Sequence, residues 1–278
     1  MPALSSIATV LTVAGSDPSG GAGIQADIKA FVTTGAYGAA VITGLTAQNT
    51  TEVSGTYPVP AEFVEKQIRA VVSDIRIDVI KLGMMTSREI CETVAPFLES
   101  VPVVCDPVMI STTGYPLIDQ DTADALERAV LPSCDYITPN RFELEKLSGN
   151  TVIKDARDAG RKLFARFSGL SGIILKGGHI DPEKASVTDI LLYREGGRVE
   201  EAVKTQTRYD TPNTHGTGCT FASAFASYLA QGCRSSEAFD KAAAYTNGLI
   251  QISAGASVGH GRGPLMHHLS STPSKSRD

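Results

Sequence analysis

The stretch 210–226, DTPNTHGTGCTFASAFA, gathers residue types that can hold an anion. Gly216, Thr217 and Gly218 stand directly before an Ala-rich apolar run that reads as a helix and stops at Gly232. Glycines at such a junction let several N–H groups converge, and the first helical turn adds unpaired donors and the positive end of its dipole. The guest that such a cradle accepts is a phosphate. Cys219 stands at its mouth, where the same field favours thiolate over thiol. The alternative is a Gly-rich loop leading into a core helix, with Cys219 a small buried apolar residue.

Other candidates fall at the ends of apolar runs. The loop 15–23 follows the first such run and carries Asp17, with Asp27 about one helical turn beyond it. Gly15 and Gly20 have the glycine spacing of a P-loop, but Gly21 and Ala22 stand where Lys and Ser/Thr are needed, and G-x-G-x-x-G is missing. What remains is a polar loop where open α/β sheets bind ligands, with Asp27 as a substrate contact. Gln48 offers donor and acceptor together, which suits either the edge of a heterocycle or loop closure. Met84 and Met85 read as core filler or as a wall for an aromatic ring. Asp106 ends a buried strand, so its carboxylate needs a cation or a magnesium-bound water. Residues 110–117, ISTTGYPL, read as a flap or a static loop. Asn140 and Glu143 have capping-box spacing. On one helical turn they also suit two oxygen ligands for hydrated magnesium. Lys176, followed by two glycines, is placed to reach nucleotide phosphates.

The elements that must position these groups alternate. Strands are expected at 7–14, 38–45, 79–83, 101–105, 136–138 and 172–176, with a hairpin over 187–208. Helices are expected at 24–34, 61–75, 121–130, 156–167, from Phe221 onward, and at 236–252. Apolar strands alternating with helices predict an α/β fold on a mainly parallel sheet with an antiparallel edge. The chain of 278 residues fits one large domain over 1–269, with a frayed polar tail at 270–278. A hydrophobic fraction of 42%, with 20% charged residues, is ordinary globular usage. A formal charge of −5 argues against a nucleic-acid face, and no run reaches membrane-span length. Five scattered cysteines without metal-type spacing predict a reduced, cytoplasmic setting.

Taken together, several segments resemble the hydroxymethylpyrimidine/phosphomethylpyrimidine kinases of the ribokinase-like superfamily. They are AGSDPSGGAGIQADIK at 14–29, ITGLTAQNT at 42–50, KLGM at 81–84, DPVM at 106–109, TPNRFE at 138–143, KGGH at 176–179 and THGTGCTFASA at 214–224. The resemblance implies a three-layer α/β/α fold, ATP as co-substrate, Mg²⁺, a role in thiamine biosynthesis and a homodimer. It implies a pyrimidine pocket of Ala22, Asp27, Gln48, Met84 and Val108. It places Asp106, Asn140 and Glu143 around magnesium and phosphates, Lys176 and Thr214 with the nucleotide, and the amides of Gly216, Thr217, Gly218 and Cys219 in the anion hole. The wider superfamily usually has an aspartate base where Cys219 stands, so the cysteine favours the narrower family. Two rivals follow: a pyridoxal-type kinase on the same scaffold, and a non-catalytic ligand-binding regulator.

Overall fold

The buried runs pair into one sheet. In the computed structural model, which describes residues 7–111, 114–149, 155–179 and 185–270, nine strands lie in the order β3-β2-β1-β4-β5-β6-β7-β8-β9. They are β1 (Thr9–Ser16), β2 (Tyr37–Gln48), β3 (Val53–Pro58), β4 (Val79–Leu82), β5 (Val103–Cys105), β6 (Tyr136–Ile137), β7 (Gly172–Leu175), β8 (Ser186–Glu195) and β9 (Arg198–Thr207). Pairing is parallel from β2 through β7, while β3 and the β8/β9 hairpin are antiparallel at opposite edges.

Among the described residues eight α-helices cover the sheet: α1 (Gly23–Thr34), α2 (Ala61–Val72), α3 (Arg88–Val94), α4 (Gln120–Ala125), α5 (Arg141–Ser148), α6 (Ala156–Arg166), α7 (Thr217–Ala230) and α8 (Ser235–Ser253). Successive residues of a strand point to opposite faces, and the core divides accordingly. Leu11, Ile80, Leu82 and Val103 pack with residues of α2 to α6. Val10, Val79, Val104 and Ile174 pack with α1, α7 and α8. The layers are therefore helix, sheet, helix. Thr12 and Lys81 pair in register and lie two residues beyond Val10 and Val79, so both face the α1/α7/α8 layer.

Three expectations need correction. The chain has a second antiparallel edge: the polar stretch after β2 is a hairpin tip, not a connection to a helix. Asn49 Oδ1 accepts from the N–H groups of Thr51 at 2.8 Å and Glu52 at 3.0 Å, and this Asx turn sends β3 back along β2. Helix α3 was not expected, although Ser87 caps it by accepting from the Ile90 N–H. The fourth expected strand begins at Val103, two residues late. Of the expected tail at 270–278, residues 271–278 lie outside the described residues.

Candidate active site

A cavity of about 690 Å³ opens along the carboxyl ends of the parallel strands. Its wall takes Asp17 after β1, Met84 after β4, Asp106 after β5, Asn140 after β6 and Lys176 after β7. This is the edge where chain reversals in an open parallel sheet leave a crevice.

The turn before α7 closes one side. Gly216 has φ +78, and a Cβ there would collide with the Gly21 carbonyl oxygen. Only glycine fits both the backbone angle and the close approach of the two glycine-rich loops. The Thr217 N–H donates to Thr214 O at 3.3 Å, and the Thr220 N–H closes the first turn onto Gly216 O at 2.9 Å. The amides of Gly216, Gly218 and Cys219 have no backbone acceptor among the described residues. All three residues line the cavity, as do Thr214 and Thr217. The turn thus offers unpaired donors at a helix N-terminus facing an open space.

Two carboxylate–lysine pairs flank that turn. Lys176 Nζ lies 2.8 Å from Asp106 Oδ1, which also accepts from the Thr138 hydroxyl at 2.8 Å. Burial alone would raise the Asp106 carboxyl, but the charges of Lys176 and Lys81 and these hydrogen bonds hold it low. Lys176, expected to reach outward for phosphates, is docked on Asp106. The second pair corrects a sequence expectation. Asp27 is fully buried and does not line the cavity. Its carboxylate accepts from Lys81 Nζ (2.9 Å to each oxygen), the Thr12 hydroxyl (2.7 Å) and the Ser223 hydroxyl (2.7 Å). With both oxygens occupied beneath the cavity floor, Asp27 is not a substrate contact.

Cys219 corrects a second expectation. Burial pushes its thiol up to about 11, with Lys81 pulling the other way and Asp27 and Asp106 adding to the rise. The helix-terminus field does not overcome desolvation, so the resting side chain is a thiol.

Asn140 and Glu143 form the reciprocal capping box: the Asn140 N–H donates to Glu143 Oε2 at 2.8 Å, and the Glu143 N–H to Asn140 Oδ1 at 3.0 Å. Both also line the cavity. Burial pushes the Glu143 carboxyl up to about 8 against the pull of Lys176. Among the described residues no three His, Cys, Asp or Glu side chains form a metal cage. An acceptor set of Asp106, Asn140 and Glu143 on one wall fits magnesium that keeps its waters and rides on a nucleotide.

Ala22, Gln48, Met84 and Val108 also line the cavity, while Met85 joins the core. Gln48 Oε1 accepts from the Thr46 hydroxyl at 3.2 Å, and its amide nitrogen lies 3.3 Å from His215 Nε2. That histidine was not singled out from the sequence. His215 Nε2 is 2.7 Å from Asp17 Oδ2. Burial would raise Asp17, but hydrogen bonds from His215, Ser19 and Ala22 hold it at about 2, so it accepts only. His215 Nε2 therefore carries the proton, and the Gln48 amide hydrogens are left for something else. The available signal was a histidine beside the glycine turn and an aspartate in the facing glycine loop. The flap is a tight reversal: Ile110 bridges Pro116, and the Leu117 N–H donates to Met109 O at 3.0 Å. Ile110 and Leu117 line the cavity; residues 112 and 113 lie outside the described residues.

With this geometry in hand, comparison with known proteins decides the family. A family model described as phosphomethylpyrimidine kinase matches residues 17–266. The chain belongs to the phosphomethylpyrimidine kinase family. It is 42% identical over 274 residues to the thiamine biosynthesis bifunctional protein ThiED of Geobacter sulfurreducens, covering 97% of this chain and 54% of that longer protein. A phosphomethylpyrimidine kinase structure from Clostridium difficile superposes with TM-score 0.73 at 36% identity, covering 87% of this chain and 99% of that one. An ADP complex of Bacillus subtilis pyridoxal kinase superposes with TM-score 0.83 at 31% identity, covering 94% and 98%. Members of this kinase family and its structural neighbours thus share the layered fold described above.

Proposed function

We propose that this kinase transfers the γ-phosphoryl group of ATP to the hydroxymethyl oxygen of 4-amino-5-hydroxymethyl-2-methylpyrimidine. A second transfer then converts the monophosphate to the diphosphate, for thiamine biosynthesis. The observation that carries the reading is the turn before α7, whose free amides open onto the cavity that Gln48, Met84 and Val108 also line. A flat ring and a migrating phosphoryl group can meet there.

Gln48 would read the ring, its freed N–H toward a ring nitrogen and its carbonyl oxygen toward the exocyclic amine. Met84, Val108 and Ala22 would wall the ring faces. Phosphoryl transfer spreads charge over the equatorial oxygens, so positioning and anion stabilisation dominate. The amides of Gly216, Gly218 and Cys219 serve that purpose, and Lys176 can move from Asp106 to the phosphates, with Thr214 and Thr217 beside them. Asp106, Asn140 and Glu143 would hold the waters of Mg²⁺. Magnesium, when bound with ATP, neutralises charge on the phosphate oxygens. As the new O–P bond forms, the bond to the bridging oxygen of ADP breaks, and the hydroxymethyl proton passes to Cys219 in its thiolate form. That form is the minor one at neutral pH. The monophosphate already presents an anionic oxygen, so the second step needs no base.

A second reading has its own support, since the pyridoxal kinase superposes with the higher TM-score. The flap sequence 110–117 holds no cysteine to capture an aldehyde, which favours the pyrimidine. Product mass after incubation with the pyrimidine and ATP-Mg tests both readings. Two added phosphates are expected. None with the pyrimidine, and one with pyridoxal, would select the second reading. We also propose a homodimer in the cytoplasm. The exposed cross-strand pair Leu45 and Tyr57 supports the former and five unpaired cysteines the latter. No helix among the described residues is long and apolar enough to cross a membrane.

A further inference from the structure

One carboxylate of the cavity wall stands apart from the rest. Asp17 pairs with His215, Asp106 with Lys176 and Glu145 with Arg141, while Glu143 closes the cap of α5. Asp189 lines the same cavity from β8 and takes no ion pair among the described residues. Its cross-strand neighbour Lys204 could supply one, but that ammonium goes to Asp240 of α8 at 3.2 Å. Among the described residues its one donor is the Gly177 N–H, 2.8 Å from Oδ1. Oδ2 is left without a donor and is not buried, since the sole buried side-chain polar atom lacking a partner among these residues is Thr246 Oγ1. Burial raises the Asp189 carboxyl, with the Gly177 N–H and the Lys176 charge pulling the other way. A half-buried charge without a cation is costly, and more so on the path of a polyanion. Neutral O–H or N–H donors of a ligand would offset that cost, because hydrogen bonds to an ionised acceptor are the strong ones.

The position of Asp189 says which donors. Gly177 follows Lys176 directly, and a Cβ on it would lie 2.0 Å from the Thr188 carbonyl oxygen, so the turn after β7 is pressed onto β8 beside Asp189. The tether thus sets Asp189 next to the lysine that is placed to reach phosphates. On its other side, Val187 lies two residues back along β8 on the same face, opposite Gln206 of β9. Gln206 Nε2 donates to Ala243 O of α8 at 3.0 Å, and Val187, Gln206, Ala243 and Thr246 all line the cavity. Asp189 therefore stands between a phosphate-binding end and a stretch of wall that can take a base. In a nucleoside triphosphate the group between those two is the ribose, whose hydroxyls are neutral donors. We propose that Asp189 is the residue that reads the sugar of the nucleotide: Oδ2 accepts from the vicinal ribose hydroxyls, while Oδ1 stays on the Gly177 N–H. This gives the kinase a preference for ribonucleotides over nucleotides without those hydroxyls. The proposal rests on the reading of the cavity as the ATP site, but its test needs neither turnover nor a pyrimidine.

The test is the Kd of three magnesium-bound ligands, measured by isothermal titration on the full chain. They are ATP, its dideoxy counterpart that lacks both ribose hydroxyls, and tripolyphosphate as a probe without a nucleoside. The wild type should bind ATP at least about fivefold tighter than dideoxy-ATP, as a hydrogen bond to a charged group can supply. Asp189→Asn can still accept from the Gly177 N–H but loses the charge. It should lower that ratio at least about threefold and bind tripolyphosphate no more weakly than the wild type does. A turn that was merely displaced would weaken all three ligands together and leave the ratio standing. A wild-type ratio below about fivefold, a ratio lowered less than about threefold in the variant, or a loss of tripolyphosphate equal to that of ATP overturns the proposal. Should Asp189→Asn not fold, Asp189→Ser is held to the same limits. If ATP binds and only the ratios fail, the role of Asp189 falls and the ATP site stands; if the wild type binds no ATP, both fall. If the ratios hold while no pyrimidine is phosphorylated, the proposed acceptor is wrong and the ribose contact stands.

Discussion

The two carboxylate–lysine pairs beside α7 look alike on paper and differ in kind. Asp27 and Lys81 are both wholly buried, and the carboxylate is saturated by Thr12 and Ser223 as well. Asp106 and Lys176 meet at 2.8 Å, but the lysine side chain keeps 16% exposure at the cavity wall. The inner pair has nowhere to go, so it acts as a fixed charge within the fold. In the proposed reading the outer pair exchanges partners: a phosphate arriving at the α7 turn would offer Lys176 an equal or better anion, while water or a hydrated metal would take its place on Asp106. The same chemistry thus gives a structural element in one place and, in the proposed reading, an exchangeable ligand in the other, and the difference in burial separates them.

The turn between the pairs gives the largest expected effect. Gly216→Val meets both the positive φ and the Gly21 carbonyl, and so displaces the amides that either pair is arranged around. Both phosphorylation steps should fall at least about a thousandfold, as when preorganised oxyanion donors are lost. A folded variant keeping more than a tenth of wild-type turnover would break the assignment of the turn. Next come the lysines themselves. Lys81→Met leaves a buried carboxylate without its cation and should cost about 3–5 kcal/mol of stability, read by denaturant unfolding. Lys176→Met should instead act on catalysis, lowering kcat/KM for ATP about a hundredfold with a smaller change in stability. If the two variants lost stability equally, the distinction between a fixed and an exchangeable pair would be wrong.

Cys219 gives a smaller and more selective effect. Cys219→Ala should depress the first phosphorylation about a hundredfold, within the usual range for general-base catalysis, and leave the second within a few fold. In the wild type the first step should quicken with pH, since the reactive form grows as pH approaches the thiol value of about 11, and the second should not. Rates measured with the pyrimidine alcohol and with its monophosphate across pH 6.5 to about 9 check this. Equal pH slopes for the two substrates would remove the base role.

These contrasts show what the sequence made legible. The glycine turn, the strand-end positions of Asp106 and Lys176, and the loop positions of Gln48 and Met84 could be read because loops after buried strands in an α/β chain must share one edge, whereas Val108 entered only through the family resemblance. Burial at single-atom resolution could not be read. Asp27 sits one turn past a ligand loop, and only the packing of α1 against α7 reveals that it points beneath the cavity. Lys81 looks like one polar residue in a short strand until its face is known. The thiol of Cys219 follows the same logic, since a local dipole argument says nothing about how much water the helix layer excludes. The β3 edge was missed because polar hairpin tips and polar loops share a composition.

The smallest expected effect concerns Glu143, which borders the exchangeable pair. Its carboxyl is raised to about 8 in the folded chain against an ordinary value of 4.5. Between those two values the folded state binds more protons than the unfolded state, so stability falls as pH rises through this window. Below 4.5 the group is protonated in both states and has no such effect. Glu143→Gln keeps a side chain that can close the capping box from its third position while removing the charge. The ligand-free variant should therefore melt a few degrees above the wild type at pH 8 and within about a degree of it at pH 4.5. Binding of ATP-Mg should shrink the difference at pH 8, because a cation beside Glu143 would favour the ionised form that the variant lacks. An advantage that persists unchanged with ligand would mean that Glu143 serves the helix cap alone, leaving Asp106 and Asn140 to face the metal.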